Sequence, residues 1–98
     1  MAVMVISTFE ATMEMYDAVN AKLPGPDNPP QGGLVHTGGV LPDGRMQVAD
    51  VWESEADFQN FRENVLGPAI YEVAGDDAPT PEIVIYELHD LNVLPGAG

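Results

Sequence analysis

The sequence has no cysteine and only three basic residues against sixteen acidic ones. Without cysteine there is no disulfide, no thiolate zinc site and no thiol nucleophile. The formal net charge of −13 at pH 7 disfavours nucleic acid as a partner, because binding to phosphates needs clustered lysine and arginine. The same charge repels anionic membranes. We therefore expect neither a nucleic-acid partner nor a membrane partner.

Long hydrophobic runs are also missing. The longest apolar stretch near the N-terminus, residues 2–6, is too short for a signal-peptide core or a membrane span, and no basic residue flanks it. We therefore expect a cytoplasmic protein. With 98 residues, of which 45% are hydrophobic, the chain is long enough for one core and too short for two. We predict a single domain over residues 1–90 and a flexible C-terminal tail over residues 91–98.

The first third of the chain predicts a strand followed by a helix. Residues 2–7 form an apolar, β-branched run, which is typical of a strand that is apolar on both faces. From Thr12, a good N-cap, apolar residues recur at helical spacing. Pro24 ends this helix, and the proline- and glycine-rich residues 24–33 predict a loop.

The strongest local signal is a hairpin in the middle of the chain. Residues 34–41 and 45–53 flank the tripeptide Pro42-Asp43-Gly44. Proline presets φ, aspartate caps its own backbone and glycine accepts positive φ, so this tripeptide predicts a tight turn between two strands.

A second helix and a last strand complete the pattern. Ser54 is a predicted N-cap, and apolar residues at helical spacing continue from it to Leu66. We expect Gly67-Pro68 to stop this helix and a short helical turn to resume over residues 68–74. Residues 82–89 alternate in the way that is typical of a strand.

The resulting order, β-α-β-β-α-β, predicts a ferredoxin-like α+β fold, in which two helices cover one face of a four-stranded antiparallel sheet. The first and last strands are nevertheless apolar on both faces. Because monomers seldom expose a large contiguous apolar surface, we expect a second copy of the chain to cover the other face and predict a homodimer. The alternative is that residues 24–33 or the tail cover this face from within the chain.

One segment resembles a known family. Residues 50–58, Asp-Val-Trp-Glu-Ser-Glu-Ala-Asp-Phe, are followed by Phe61-Arg62 and by Leu66-Gly67-Pro68-Ala69. Together with the order of elements, they resemble the dimeric α+β barrel superfamily near its antibiotic-biosynthesis-monooxygenase-like branch, over residues 1 to about 90. The resemblance implies a dimeric α/β barrel. It does not fix an activity, because this fold hosts oxygenases, haem-degrading enzymes, polyketide cyclases, isomerases and proteins without known chemistry.

Two residues are candidates for catalysis. His36, on the first hairpin strand, has an unperturbed pKa close to neutrality, which favours it as a general acid or base; the alternative is a hydrogen-bonded or half-exposed edge histidine. Asp50 alternates in phase with Met46, Val48 and Trp52 and so shares a face with three residues that favour burial. A carboxylate there is costly unless Arg62 or a hydroxyl group reaches it, or unless the strand end is already wet.

Four aromatic residues are candidates for ligand binding. The resemblance implies that Trp52, at the junction of strand and helix, lines a cleft between sheet and helices where a flat aromatic substrate lies. Phe58 and Phe61 are the nearest helical aromatics, and Tyr86 contributes a hydroxyl group from the last strand. The alternative is that Trp52 packs in the core beneath the second helix.

The sequence predicts neither a metal nor a cofactor. It contains no HxH, HxxxH or HExxH spacing. Haem-degrading members of the resembled family carry a histidine on the second helix and an asparagine on the first strand; residues 54–66 contain no histidine and residues 2–8 contain no asparagine. We expect a homodimer with an apolar cleft for a small organic, aromatic or polyketide-like molecule, acting as a cofactor-independent monooxygenase-like or tailoring enzyme. The alternative is a non-catalytic ligand-binding or structural dimer.

Overall fold

A computed structural model describes residues 1–25 and 27–94. Part of the predicted tail, residues 95–98, lies outside these ranges. The elements follow the predicted order, with some shifts at their ends. They are β1 (Val3–Phe9), α1 (Met13–Asn20), β2 (Gly33–Val40), β3 (Met46–Trp52), α2 (Glu55–Phe61), a π-helical turn (Arg62–Leu66), α3 (Gly67–Ala74), a 3-10 turn (Gly75–Asp77) and β4 (Glu82–Glu87).

The four strands form one antiparallel sheet in the order β2-β3-β1-β4. β1 lies in the interior and pairs with β3 on one side and β4 on the other. This arrangement confirms the ferredoxin-like fold that the sequence predicts. No helix in the described part of the chain is both long and apolar enough to cross a membrane.

The hairpin turn forms as predicted. Gly44 has a φ of 92°, which favours glycine. Asp43 Oδ1 accepts a hydrogen bond from the backbone N–H of Arg45 at 3.0 Å. The backbone N–H of Leu41 donates to the carbonyl of Arg45 at 2.8 Å and closes the turn. The turn therefore sets the register that brings β2 against β3.

The helices α1 and α2 begin at the predicted N-caps, Thr12 and Ser54. Thr12 Oγ1 accepts a hydrogen bond from the backbone N–H of Met15 at 3.1 Å, and Ser54 Oγ accepts one from that of Asp57, also at 3.1 Å. The Ser54 hydroxyl in turn donates to Asp57 Oδ2 at 2.9 Å. The two bonds from backbone N–H groups satisfy donors that have no partner within a helix.

The second helix does not stop at Gly67-Pro68, and that prediction is wrong. α2 continues through the π-helical turn into α3, and the backbone N–H of Gly67 donates to the carbonyl of Arg62, five residues earlier. The wider turn accommodates Pro68, whose ring would otherwise clash with a carbonyl one turn back. A Cβ atom on Gly67 would lie 3.0 Å from the Arg62 carbonyl oxygen. Glycine here therefore permits the close approach instead of ending the helix.

The helices cover one face of the sheet, which we call the covered face, and the core lies beneath them. Val3, Val5, Trp52 and Phe58 form this core, with side chains of 5% exposure or less. The opposite, open face is mostly apolar, as predicted; on it Val51 is 5% exposed, whereas Val84 and Tyr86 are 56% and 47% exposed. Strand alternation places on it Met4, Ile6, Val35, Ala49, Val51, Val84 and Tyr86.

We expect Phe58→Ala to lower the free energy of unfolding by about 3–5 kcal/mol, because it removes a large buried ring and leaves a cavity. The matched control is Val93→Ala, at a side chain that is 70% exposed, which should change stability by less than about 0.5 kcal/mol. Urea unfolding followed by circular dichroism measures both. Equal effects of the two substitutions would contradict this account of the core.

Candidate active site

The two predicted catalytic residues are brought together on the covered face. His36 of β2 lies directly opposite Asp50 of β3 in the strand register. His36 Nδ1 and Asp50 Oδ1 are 2.7 Å apart. The Asp50 side chain is 13% exposed and that of His36 is 53% exposed, so the pair connects the interior to the surface.

Asp50 is 9% exposed, and side-chain alternation along β3 places it on the covered face. Its neighbours on the same face, two residues away in each direction, are Val48 and the buried Trp52. The carboxylate therefore needs a partner, and His36 supplies it in place of the expected Arg62 or hydroxyl group.

A third residue, Tyr16 on α1, completes a hydrogen-bonded chain. Its hydroxyl group lies 3.0 Å from His36 Nε2. Sequence reasoning missed this role, because Tyr16 lies beside the apolar stripe of α1 and nothing local indicates which strand it contacts. A signal was present in Gly38 and Gly39, two glycines within a strand, which often mark a place where another group approaches closely.

The electrostatics of the three groups follow from these contacts. The hydrogen bond to the Asp50 carboxylate raises the pKa of His36 above its ordinary value of 6.5; partial burial opposes this, and the charge of Asp50 adds to it. Burial raises the pKa of the Tyr16 hydroxyl, and the negative charges of Asp50 and Asp17 add to the effect. Near neutral pH, Tyr16 is therefore an uncharged phenol.

The hydrogen bonds also fix the tautomer of neutral His36. An ionised carboxylate only accepts hydrogen bonds, so Nδ1 carries the proton and donates to Asp50. Nε2 then has a free lone pair and accepts from the hydroxyl of Tyr16. A histidine oriented in this way by a carboxylate has the arrangement of a general base.

The predicted ligand-binding aromatics of the covered face pack against one another. The ring of Trp52 lies 5.9 Å from that of Phe58 and 5.1 Å from that of Phe61, centroid to centroid. Trp52 and Phe58 are each 3% exposed. Within the described residues, no group accepts a hydrogen bond from the buried Nε1 of Trp52. That these rings contact a ligand stays a prediction.

Tyr86 lies apart from this cluster. It faces the open side of the sheet and lines a shallow cavity of about 310 Å³ together with Val3, Ile85 and residues near the start of α2. A second cavity of about 300 Å³ lies beside Arg45. Neither cavity includes His36 or Asp50. No cluster of three potential metal ligands occurs in the ranges 1–25 and 27–94.

Neither a family model nor a curated protein matches this sequence, but solved structures match the fold. A candidate antibiotic biosynthesis monooxygenase from Chloroflexus aurantiacus is 17% identical, with a TM-score of 0.67 over 95% of this chain and 98% of its own. SnoaB, a cofactor-independent oxygenase from Streptomyces nogalater, is also 17% identical, with a TM-score of 0.60 over 96% of this chain and 97% of its own. The chain has the fold of the antibiotic-biosynthesis-monooxygenase-like proteins. This confirms the resemblance at the level of the fold.

A third solved structure of similar fold contains haem. The haem degrader MhuD from Mycobacterium tuberculosis, solved with two haems in its active site, is 25% identical, with a TM-score of 0.58 over 93% of this chain and 98% of its own. The second helix of the present chain lacks the histidine that the resemblance implies for haem-degrading members. The continuous helix over residues 55–74 contains no histidine, and both ring nitrogens of His36 are already hydrogen-bonded.

We expect Asp50→Asn to lower the pKa of His36, because the substitution removes the negative charge and leaves only a neutral amide oxygen as hydrogen-bond acceptor for the imidazolium. Proton NMR of the His36 ring through a pH titration measures the change. The ring signal of His89, which lies beyond β4, is the internal control and should be the same in both proteins. An unchanged His36 titration would contradict the assigned hydrogen bond.

The raised pKa of His36 also determines how the stability of the fold depends on pH. Because the pKa of His36 is raised in the folded state, its contribution to stability is fully present below about 6.5, the unfolded value, and is lost as the pH rises through the folded value. In Asp50→Asn this pH-dependent part of the free energy of unfolding should shrink.

Proposed function

We propose that the protein is a homodimeric α+β barrel that binds a small organic molecule and removes a proton from it with His36 and Asp50. The reaction class that we infer is cofactor-independent oxygenation of the resulting carbanion. One observation carries the catalytic part of this proposal, namely the 2.7 Å hydrogen bond between His36 Nδ1 and the nearly buried carboxylate of Asp50. This bond orients the ring and stabilises the imidazolium that forms when the base takes a proton.

A buried donor beside this pair favours a ligand with an oxygen acceptor. The Nε1–H of Trp52 lacks an acceptor in the described part of the chain, and an unpaired buried donor costs about 1–3 kcal/mol. Trp52 and Asp50 are two residues apart on one face of β3, or roughly 7 Å along the strand. A flat aromatic ketone whose carbonyl accepts from Trp52 would place its acidic C–H toward His36.

The chemistry requires no cofactor, because the substrate supplies the electrons. For the probe anthrone, one C–H proton passes to the His36–Asp50 pair, and the carbanion reduces O₂ by forming a C–O bond to it. Loss of water from the resulting hydroperoxide takes the second C–H hydrogen as a proton and gives anthraquinone. In sum, one anthrone and one O₂ give one anthraquinone and one H₂O. The fold similarity to SnoaB, a cofactor-independent oxygenase, supports this reaction class.

A non-catalytic binding protein is the second candidate function. It is favoured by the burial of Trp52 and Phe58, which pack in the core. A ligand would reach them only if α2 moved away from the sheet. Under this alternative, the same ligand binds but is not turned over.

The open face supports the homodimer. It is lined by the apolar residues named above, and Val84 and Tyr86 on it are 56% and 47% exposed. Although the chain contains 16 acidic residues, the strand alternation places only Glu82, at the end of β4, on this face. A surface that is free of charge over most of its area, in a chain of charge −13, fits a second copy of itself. Repulsion between exposed charges is screened beyond about 8–10 Å at physiological salt.

Val84→Glu should convert the dimer to a monomer, because it buries a carboxylate without a partner at the interface. The matched control is Val93→Glu, which introduces the same charge outside the sheet. Sedimentation velocity at micromolar protein in moderate salt measures the mass. A wild-type protein that sediments at the monomer mass of 10.5 kDa would overturn the proposed dimer.

His36→Asn should lower the kcat for oxygen consumption with anthrone by about 10²–10⁴-fold, the usual contribution of a general base. The matched control is His89→Asn, which removes the other histidine and should leave the rate unchanged. Trp52 is the only tryptophan, so its fluorescence reports binding separately. Binding without oxygen consumption in the wild type would favour the non-catalytic alternative, and the absence of both would overturn the proposed function.

A further inference from the structure

Tyr16 has no part in the proposed reaction, yet it occupies the nitrogen that a base would use. Its hydroxyl lies 3.0 Å from His36 Nε2, while Asp50 occupies Nδ1 at 2.7 Å. Both ring nitrogens are therefore engaged within the chain. A ligand cannot reach the lone pair of Nε2 unless it displaces Tyr16.

We propose that Tyr16 is the ligand-facing member of a Tyr16–His36–Asp50 relay and a catalytic residue of the site. This inference rests on the proposed function and adds the group through which the proton travels. The ligand gives its proton to Oη of Tyr16 as the phenolic proton moves to Nε2 of His36. Tyr16 is an uncharged phenol before and after the step. The charges that form are the ligand anion and the His36 imidazolium, which Asp50 stabilises.

The electrostatics of Tyr16 favour this concerted transfer. Burial and the carboxylates of Asp50 and Asp17 raise the pKa of its hydroxyl, so a free tyrosinate is a poor intermediate. A phenol that accepts one proton as it donates another avoids that charge. The hydroxyl suits this role, because it has both a donor and acceptor lone pairs.

The tyrosine of this relay fits against β2 because position 38 is a glycine. A Cβ atom on Gly38 would lie 2.9 Å from Cζ of Tyr16 and closer still to its hydroxyl, whereas a Cβ on Gly39 would meet nothing within 4 Å. Gly38 faces the covered side of β2, two residues from His36, and Gly39 faces the open side. Glycine at position 38 therefore admits the tyrosine, and the adjacent glycine provides a matched control.

The test compares wild type, Tyr16→Phe, Gly38→Ala and Gly39→Ala, each checked for folding by thermal unfolding and for mass by sedimentation. We expect Tyr16→Phe to lower the kcat with anthrone by about 10²-fold or more while anthrone still quenches Trp52 fluorescence. Gly38→Ala should lower kcat without changing any ionisable group, and Gly39→Ala should keep it.

A second readout needs neither ligand nor turnover. The nitrogen NMR shift of His36 Nε2 should move in Tyr16→Phe and Gly38→Ala, which remove its hydrogen bond, and should stay in Gly39→Ala. This measurement also reports on the site if one variant is poorly active for another reason.

The outcomes separate the two proposals. If wild type is active and Tyr16→Phe keeps the full kcat, the relay is overturned while His36 and Asp50 remain the proposed base. Equal losses in Gly38→Ala and Gly39→Ala, or an Nε2 shift that is the same in all four proteins, also overturn the relay. If wild type neither binds nor oxidises anthrone, the proposed function fails and the relay fails with it.

Discussion

The helices of this protein cover only one face of a four-stranded sheet, and most of its other features depend on this constraint. On the covered face, Trp52, Phe58 and the valines of β1 form the core. On the open face, apolar side chains remain in contact with solvent in the single chain. One face therefore holds the core and the candidate site, and the other is the surface on which we propose that a second copy packs.

The position of the candidate site also depends on the covered face of the sheet. Asp50 belongs to the covered face because β3 alternates, and burial of a carboxylate requires a partner within reach. The register of the hairpin places His36 opposite it, and α1 places Tyr16 over Nε2. Tyr16, His36 and Asp50 thus come from three different elements, and no two of them are adjacent in sequence. The helix layer also buries Trp52, whose Nε1 has no acceptor within the described residues.

The likeness to solved structures limits what can be transferred. The compared proteins include a cofactor-independent oxygenase and a haem degrader, so the shared fold does not select a chemistry. The helix over residues 55–74 contains no histidine, whereas the resemblance implies one there in haem-degrading members. An oriented histidine–carboxylate pair is consistent with proton transfer.

Local sequence determined the elements, because turns, caps and strand alternation depend on residues that are close in the chain. Gly44 at positive φ, Thr12 and Ser54 at the caps, and the apolar second face were all predicted correctly for this reason. The stop at Gly67-Pro68 was predicted wrongly, because a π-helical turn can absorb a proline that would break a regular helix.

The sequence also placed Asp50 on a buried face and indicated His36 as the titratable group of the hairpin. Only the tertiary structure joined them and added Tyr16, since that contact depends on how α1 crosses β2. Such a crossing is set by packing between elements distant in sequence, and in this chain it is possible because position 38 has no side chain in the path of the tyrosine.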